Sequence, residues 1–155
     1  MDAPPRARTP QAVLFSCGFN SVRSPMAESL LQQMFPHALY VKSAGVKKGE
    51  LDPFAVAVMA ELGQDISNHK PMTFEELEDW EGLNFDLIIT LSPEAHHKAL
   101  ALTHTLAADV EYWPTPDPTT TEGSREQKLA AYREVCDGVL SRIRKRFAKG
   151  GAASG

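Results

Sequence analysis

Short apolar runs of β-strand length recur along this chain and alternate with longer segments of helical pattern. The runs lie at 12–16 (AVLFS), 38–41 (ALYV), 85–91 (FDLIITL) and 110–113 (VEYW). Those at 12–16 and 85–91 are apolar on both faces, which is typical of strands inside a parallel sheet. This alternation predicts an α/β fold, a three-layer open sheet of about four parallel strands with helices on both faces.

Residues that favour helix ends mark the segments between these runs. The signals are Ser24-Pro25 for the first helix, Asp52-Pro53 for the second, and a capping box of Thr73 with Glu76 for a short third helix. The last helix is predicted at about 124–147 and should pack one face on the sheet. Its apolar stripe consists of Leu129, Tyr132, Cys136, Val139, Leu140, Ile143 and Phe147.

The chain has 155 residues, 43% of them hydrophobic, which is enough to bury a core without disulfides or metals. We expect one domain at 11–148 and flexible tails at 1–10 and 149–155, because neither tail offers an apolar face. The net charge of -4 argues against a nucleic-acid partner. No run reaches the roughly 18 apolar residues that cross a bilayer, and 1–10 lacks the apolar core of a signal peptide. We therefore expect a cytoplasmic protein without a membrane partner.

The first predicted strand runs directly into the segment CGFNSVRSP at 17–25. Ligands gather at the carboxyl ends of the strands in such a sheet. A loop that turns from a strand into a helix can aim its backbone N–H groups inward, and the helix dipole adds positive charge. Such a loop suits a tetrahedral dianion. The predicted phosphate-binding residues are Gly18, Phe19, Asn20, Ser21, Val22 and Arg23.

Cys17 and Arg23, at the two ends of this loop, are the candidate reactive groups. The loop amides, the helix dipole and Arg23 all favour the thiolate form of Cys17, which is the nucleophilic form. The planar guanidinium of Arg23 can hold two phosphate oxygens, which a lysine cannot do. The chain contains two cysteines, too few for a disulfide framework, and in a reducing compartment such a thiol is either packed or reactive. The position of Cys17 favours the reactive interpretation.

The same spacing recurs at Cys136 and Arg142, inside the predicted last helix. Within a helix that spacing rotates one side chain from the other by roughly 240° and separates them by about 9 Å. The two side chains therefore diverge, and Cys136 is interpreted as a core residue.

The stretch at 17–28, CGFNSVRSPMAE, resembles the low-molecular-weight protein tyrosine phosphatase family. The resemblance covers about 12–147 and includes Ser43-Ala44-Gly45, Phe85-Asp86 and Asp117-Pro118. It implies the four-stranded parallel sheet already inferred and a phosphocysteine intermediate, with no metal and no organic cofactor. The expected substrate is a phosphate monoester, either a small phosphorylated compound or a phosphotyrosyl protein, and the product is inorganic phosphate.

The resemblance also implies a set of residues that support the loop. Asn20 matches the family's loop asparagine and is expected to hydrogen-bond with Ser24, Ser43 and His69. Ser24 is further expected to donate to the sulfur of Cys17. In the alternative interpretation Asn20 is a turn residue, Ser24 caps the helix and His69 is a surface residue.

Asp117 matches the family's Asp-Pro acid. It would protonate the leaving oxygen and then activate the water that hydrolyses the phosphocysteine. The alternative is an incidental aspartate in a proline-rich surface loop. Glu111 and Glu122 flank the same loop and are the next carboxylates to consider. The competing pair Asp52-Pro53 is assigned to a helix start.

Several departures from the family pattern affect the substrate. Val22 replaces the second loop cysteine, and Phe19 stands where a small residue is usual. Thr119, Thr120 and Thr121 replace the tyrosine pair that often follows Asp-Pro. Phe19 or Trp113 could line the cleft instead, and Lys47 with Lys48 could favour an acidic or small phosphorylated substrate.

Two other functions remain open. An arsenate reductase coupled to thioredoxin shares the fold but needs two further cysteines near the third strand, which the chain lacks. A glutathione-dependent arsenate reductase needs only the first cysteine. A non-catalytic phosphate-binding module is less favoured, because a binding protein requires neither a nucleophile nor an acid.

Overall fold

The computed structural model describes residues 10–148. Four strands in this range form one parallel sheet in the order β2-β1-β3-β4. They are β1 (Ala12–Cys17), β2 (Tyr40–Gly45), β3 (Leu87–Thr90) and β4 (Asp109–Tyr112). The helices are α1 (Arg23–Met34), α2 (Pro53–Glu61), α3 (Phe74–Glu81), α4 (Pro93–Leu102) and α5 (Arg125–Ile143), followed by a π-helical turn, Arg144–Ala148. The predicted α/β architecture is confirmed. The predicted tails lie outside the described residues except for residue 10.

Helices cover both faces of the sheet and enclose two apolar cores. On one face, side chains such as Phe15 of β1 pack with α1, α2 and α5. On the other face, Leu14 and Ile88 pack with α3 and α4. Cys136 is 1% exposed, and its sulfur lies 3.7 Å from that of Met59. The prediction of a core position for Cys136 is confirmed.

The predicted helix starts are present, with one shift. The side chain of Asp52 accepts a hydrogen bond from the backbone N–H of Phe54, and Thr73 forms the expected capping box with Glu76. Helix α1, however, begins at Arg23, and its N-cap position is Val22. Ser24 is not the cap, because its hydroxyl group makes other contacts, described below.

The strand order places four connections side by side at the carboxyl edge of the sheet. The loop at 17–23, which follows β1, lies between the segment after β2 and the segment after β3. The direction of chain winding changes between β1 and β3, and in open α/β sheets ligands bind in the crevice at such a point. The carboxyl edge beside β1 is therefore the expected position of a functional site. None of the described helices is both long enough and apolar enough to cross a bilayer.

Candidate active site

The backbone of the 17–23 loop turns its carbonyl groups outward, toward the 46–52 segment that follows β2. The hydrogen bonds run from Val46 N to Cys17 O (3.2 Å), Lys47 N to Gly18 O (2.9 Å), Gly49 N to Phe19 O (3.0 Å) and Asp52 N to Ser21 O (3.1 Å). In a trans peptide unit the N–H points away from the C=O, so the next N–H groups point to the loop interior. Within residues 10–148, the backbone N–H groups of 18–22 have no protein acceptor. This geometry is suited to an oxyanion.

Gly45, the last residue of β2, lies directly against the loop. A Cβ atom added there would lie 2.5 Å from Lys47 O, 2.8 Å from Asn20 N and 2.9 Å from Phe19 C. These atoms belong to the backbone and cannot move away as a flexible side chain would. The close approach of β2 to the loop therefore requires glycine.

Asn20 connects the loop to three neighbouring segments. It is fully buried, and its φ of +56° lies in the left-handed region. Its Nδ2 donates to Ser24 Oγ (2.8 Å) and to Ser43 Oγ (2.9 Å). Its Oδ1 accepts from Met72 N and from His69 Nε2, both at 3.0 Å. The side-chain amide thus holds a strained backbone conformation in place, and Asn20, Ser24, Ser43 and His69 meet as the resemblance implied.

The hydroxyl protons of the two serines are oriented by these contacts. Ser24 Oγ accepts from Asn20, so its own proton is available to Cys17 Sγ, which lies 2.9 Å away. Ser43 Oγ likewise accepts from Asn20 and donates to Glu28 Oε1 at 2.5 Å. Ser24 therefore presents a hydroxyl proton to the sulfur of Cys17, which is 2% exposed. Such a hydrogen bond stabilises a thiolate.

Glu28 is a member of this set that the sequence reasoning did not identify. Its Oε1 also lies 3.7 Å from His69 Nδ1. Burial raises the pKa of Glu28, against the opposing effects of the Ser43 hydrogen bond and of Lys42. Burial also lowers the pKa of His69. Glu28 lies one helical turn after Ser24, and this spacing is the signal that places it on the same face of α1.

We expect Asn20→Ala to lower the free energy of unfolding by roughly 2 to 3 kcal/mol, because buried partners lose their hydrogen bonds. The affinity for inorganic phosphate should fall as well, since alanine does not favour the left-handed backbone at this position. Urea unfolding and phosphate titration calorimetry measure the two effects. Asn68→Ala, at an exposed position, is the matched control and should change neither. An unfolding midpoint equal to that of the wild type would contradict the role given to Asn20.

A cleft of about 390 Å³ opens above the loop. Its lining residues are Gly18, Phe19, Arg23, Val46, Lys47, Ser92, Pro93, Glu94 and Asp117. Arg23 and Asp117 thus share one cleft, and Arg23 Nη1 also donates to Thr115 O in the loop that carries Asp117 (2.9 Å). The structure brings the loop, the guanidinium and the carboxylate together.

Asp117 is held by the residues that follow it. Its Oδ1 accepts from Thr119 N (3.0 Å) and Thr119 Oγ1 (2.7 Å), so Asp117 caps the 3-10 turn Pro118–Thr120. Its Oδ2 has no protein donor among the described residues. One carboxylate oxygen is therefore fixed, and the other is available to the cleft.

Of the other carboxylates and aromatic residues considered for the cleft, only some line it. Glu111 does not line it, because its carboxylate bonds to Arg146 Nε (2.8 Å) and Trp113 Nε1 (3.2 Å). Glu122 does not line it either. Trp113 is buried edge-on against Phe15, whereas Phe19 is 54% exposed and forms part of the wall. Glu94, at the start of α4, is a lining carboxylate that the sequence reasoning missed.

No metal-binding arrangement is present in residues 10–148, where no three His, Cys, Asp or Glu side chains form a group that could hold an ion.

Comparison with known proteins identifies relatives with two different activities. The family model described as low molecular weight phosphotyrosine protein phosphatase matches residues 12–150. The chain is 36% identical over 141 residues to an arsenate reductase of Bacillus subtilis, covering 90% of this chain and 96% of that protein.

The similar solved structures also include both phosphatases and arsenate reductases. A low molecular weight protein tyrosine phosphatase from T. tengcongensis superposes with a TM-score of 0.72 and 26% identity, covering 90% of this chain and 99% of that one. An arsenate reductase in the phosphate binding state superposes with a TM-score of 0.68 and 27% identity, covering 90% and 98%. The fold is thus common to phosphatases and arsenate reductases.

Proposed function

Because the chain belongs to the low molecular weight phosphotyrosine protein phosphatase family, we propose that it hydrolyses phosphate monoesters, with protein phosphotyrosine as its substrate class. The observation that carries the proposal is the shared cleft, in which Asp117 lies beside the loop that begins at Cys17. An ester oxygen must be protonated as it leaves, and a carboxylate in the cleft can supply the proton. The proposal includes a cytoplasmic location, because a reactive thiol persists in a reducing compartment.

In the first step, the thiolate of Cys17 attacks phosphorus and the bond from phosphorus to the leaving oxygen breaks. Ser24 donates to the sulfur, while Arg23 and the loop amides hold the three nonbridging oxygens of the phosphoryl group. Asp117 gives its proton to the leaving oxygen. The product is a phosphocysteine and a free alcohol or phenol.

In the second step, Asp117 acts as a base. It takes a proton from water, and the resulting nucleophile attacks phosphorus on the side opposite to the sulfur. The bond between sulfur and phosphorus breaks, inorganic phosphate leaves, and the thiolate is restored with the hydrogen bond from Ser24. No redox change occurs in either step.

Arsenate reduction is the second candidate, because curated relatives carry that name. Arsenate is a tetrahedral oxyanion like phosphate, and Cys17 could form a bond to arsenic with loss of water. Reduction then needs a second thiol, which attacks the sulfur of Cys17 and forms a disulfide, while the bond between sulfur and arsenic breaks and its electron pair leaves with arsenite. The other cysteine, Cys136, is 1% exposed, and burial raises its pKa to about 11. The second thiol would therefore have to come from an external reductant such as glutathione.

The two functions are separated by parallel assays of one preparation. Phosphate release from phosphotyrosine is measured with EDTA present, and arsenite formation is measured with glutathione and glutaredoxin or with the thioredoxin system. We expect phosphate release at about 1 per second or faster, and no arsenite above the rate without enzyme. Arsenite formation without phosphate release would overturn the phosphatase proposal.

A further inference from the structure

Two side chains of opposite charge stand on opposite sides of the 17–23 loop. Lys47 follows β2 and Glu94 begins α4 after β3, and β1, which leads into the loop, lies between those two strands. Lys47 N donates to Gly18 O at 2.9 Å. Glu94 Oε1 lies 3.9 Å from the position that a Cβ would take on Gly18. Both residues line the cleft, and both are exposed at its rim.

Neither charge is paired with an opposite charge of the protein. Among residues 10–148, neither Lys47 nor Glu94 has an ion-pair partner. The adjacent Lys48, in contrast, pairs with Glu76 at 2.8 Å and does not line the cleft. Of the two lysines that the sequence reasoning considered together, only Lys47 is available to a substrate.

The wall next to Lys47 offers a surface for an aromatic ring. Phe19 is 54% exposed in the cleft. It leans on Gly49, where an added Cβ would come within 3.1 Å of Phe19 Cβ. Phe19 is therefore held on the β2 side of the loop, while Glu94 and Asp117 follow β3 and β4 on the other side. An aromatic ring attached to a phosphate in the loop would therefore extend outward between these two walls.

We propose that the rim of the cleft recognises the two residues flanking a phosphotyrosine by their charge, an acidic side chain next to Lys47 and a basic side chain next to Glu94. The proposal rests on the phosphatase function and specifies its substrate. The phosphate enters the 17–23 loop, the tyrosine ring lies against Phe19, and the peptide crosses the rim with one neighbour on each side. Its direction across the rim is thereby set, because the two ends of the crossing carry opposite charge.

The test uses two phosphotyrosine peptides of identical composition and net charge, one with Glu before and Lys after the phosphotyrosine and one with the order reversed. Because each rim contact is partly exposed, it should change kcat/KM by about 2-fold to 5-fold. The wild type should therefore prefer one peptide by about 4-fold to 25-fold, mainly through KM. The double variant Lys47→Glu with Glu94→Lys should invert the preference. Added salt should weaken both preferences.

Lys48→Glu is the matched control, because it makes the same charge change one residue away, outside the cleft. It should leave the wild-type preference between the peptides in place. Equal hydrolysis of the two peptides by the wild type, or a preference that the double variant does not invert, would overturn the proposal. Phenyl phosphate, which has no flanking residues, distinguishes failure of the phosphatase function from failure of the peptide preference alone. If it is not hydrolysed, the phosphatase function fails and this proposal with it, whereas hydrolysis without a peptide preference removes this proposal alone.

Discussion

Cys17→Ser should lower kcat for phenyl phosphate by about 10,000-fold or more, the scale seen when a nucleophile is removed from a catalytic unit. A serine hydroxyl ionises far less readily than a thiol. The groups that favour an anion at this position, the Ser24 hydroxyl and the inward N–H groups, would therefore act on a neutral oxygen. Phosphate release in the presence of EDTA measures the effect.

Cys136→Ser is the matched control, because it makes the same chemical change at the other cysteine. A hydroxyl buried against Met59 should cost roughly 1 to 3 kcal/mol of unfolding free energy. The rate per folded molecule should stay at the wild-type level. Cys17→Ser should still bind inorganic phosphate, since Arg23 and the loop amides are unchanged. Substantial activity in Cys17→Ser, or an equal loss in Cys136→Ser, would remove Cys17 from the role of nucleophile.

Asp117→Asn should slow the hydrolysis of phenyl phosphate and phosphotyrosine by about 100-fold to 10,000-fold, the range of general acid catalysis. The substitution is structurally mild, because the side-chain oxygen of asparagine can still accept the two hydrogen bonds from Thr119. The loss should shrink on an aryl phosphate with a much more acidic phenol, whose leaving oxygen needs no proton. Asp109→Asn, at an exposed position at the start of β4, is the matched control and should keep the wild-type rate.

The leaving-group comparison must be made in single turnovers. If hydrolysis of the phosphocysteine limits the steady-state rate, the base role of Asp117 dominates, and the loss becomes independent of the leaving group. A direct measurement of the rate of Cys17 phosphorylation does not include the hydrolysis of the phosphocysteine. Equal single-turnover losses on both substrates would exclude Asp117 as the acid. Glu94 would then be tested next, since it lines the cleft and Glu111 and Glu122 do not.

The sheet was predictable because buried parallel strands leave a strong local signal. The runs at 12–16 and 85–91 correspond to β1 and β3. The run at 38–41 located β2 only in part, since the strand is Tyr40–Gly45 and its residues beyond the run include Lys42 and Ser43. An apolar pattern cannot reveal these residues, because Ser43 is buried for its hydrogen bonds with Asn20 and Glu28.

Site residues that lie within one short segment of the sequence were predictable. Residues that reach the site only because the fold brings distant segments together were harder to predict. The loop, its support and the position of Asp117 followed from motifs. Glu28 and Glu94 were missed because their importance depends on the neighbours that the fold supplies, a histidine for Glu28 and the cleft for Glu94. Trp113 was a possible lining residue in the sequence and is instead packed against Phe15, because its side chain points into the core.

The hydrogen bonds between the 17–23 loop and the 46–52 segment limit the changes of length that this segment can tolerate. Connections on a protein surface usually tolerate inserted or deleted residues. Here each of four backbone donors in 46–52 is matched to one carbonyl of the loop, and Gly45 leaves no space between them. An insertion or deletion that shifted this register would leave loop carbonyls without their donors. The length of that connection is therefore constrained by the loop that it supports.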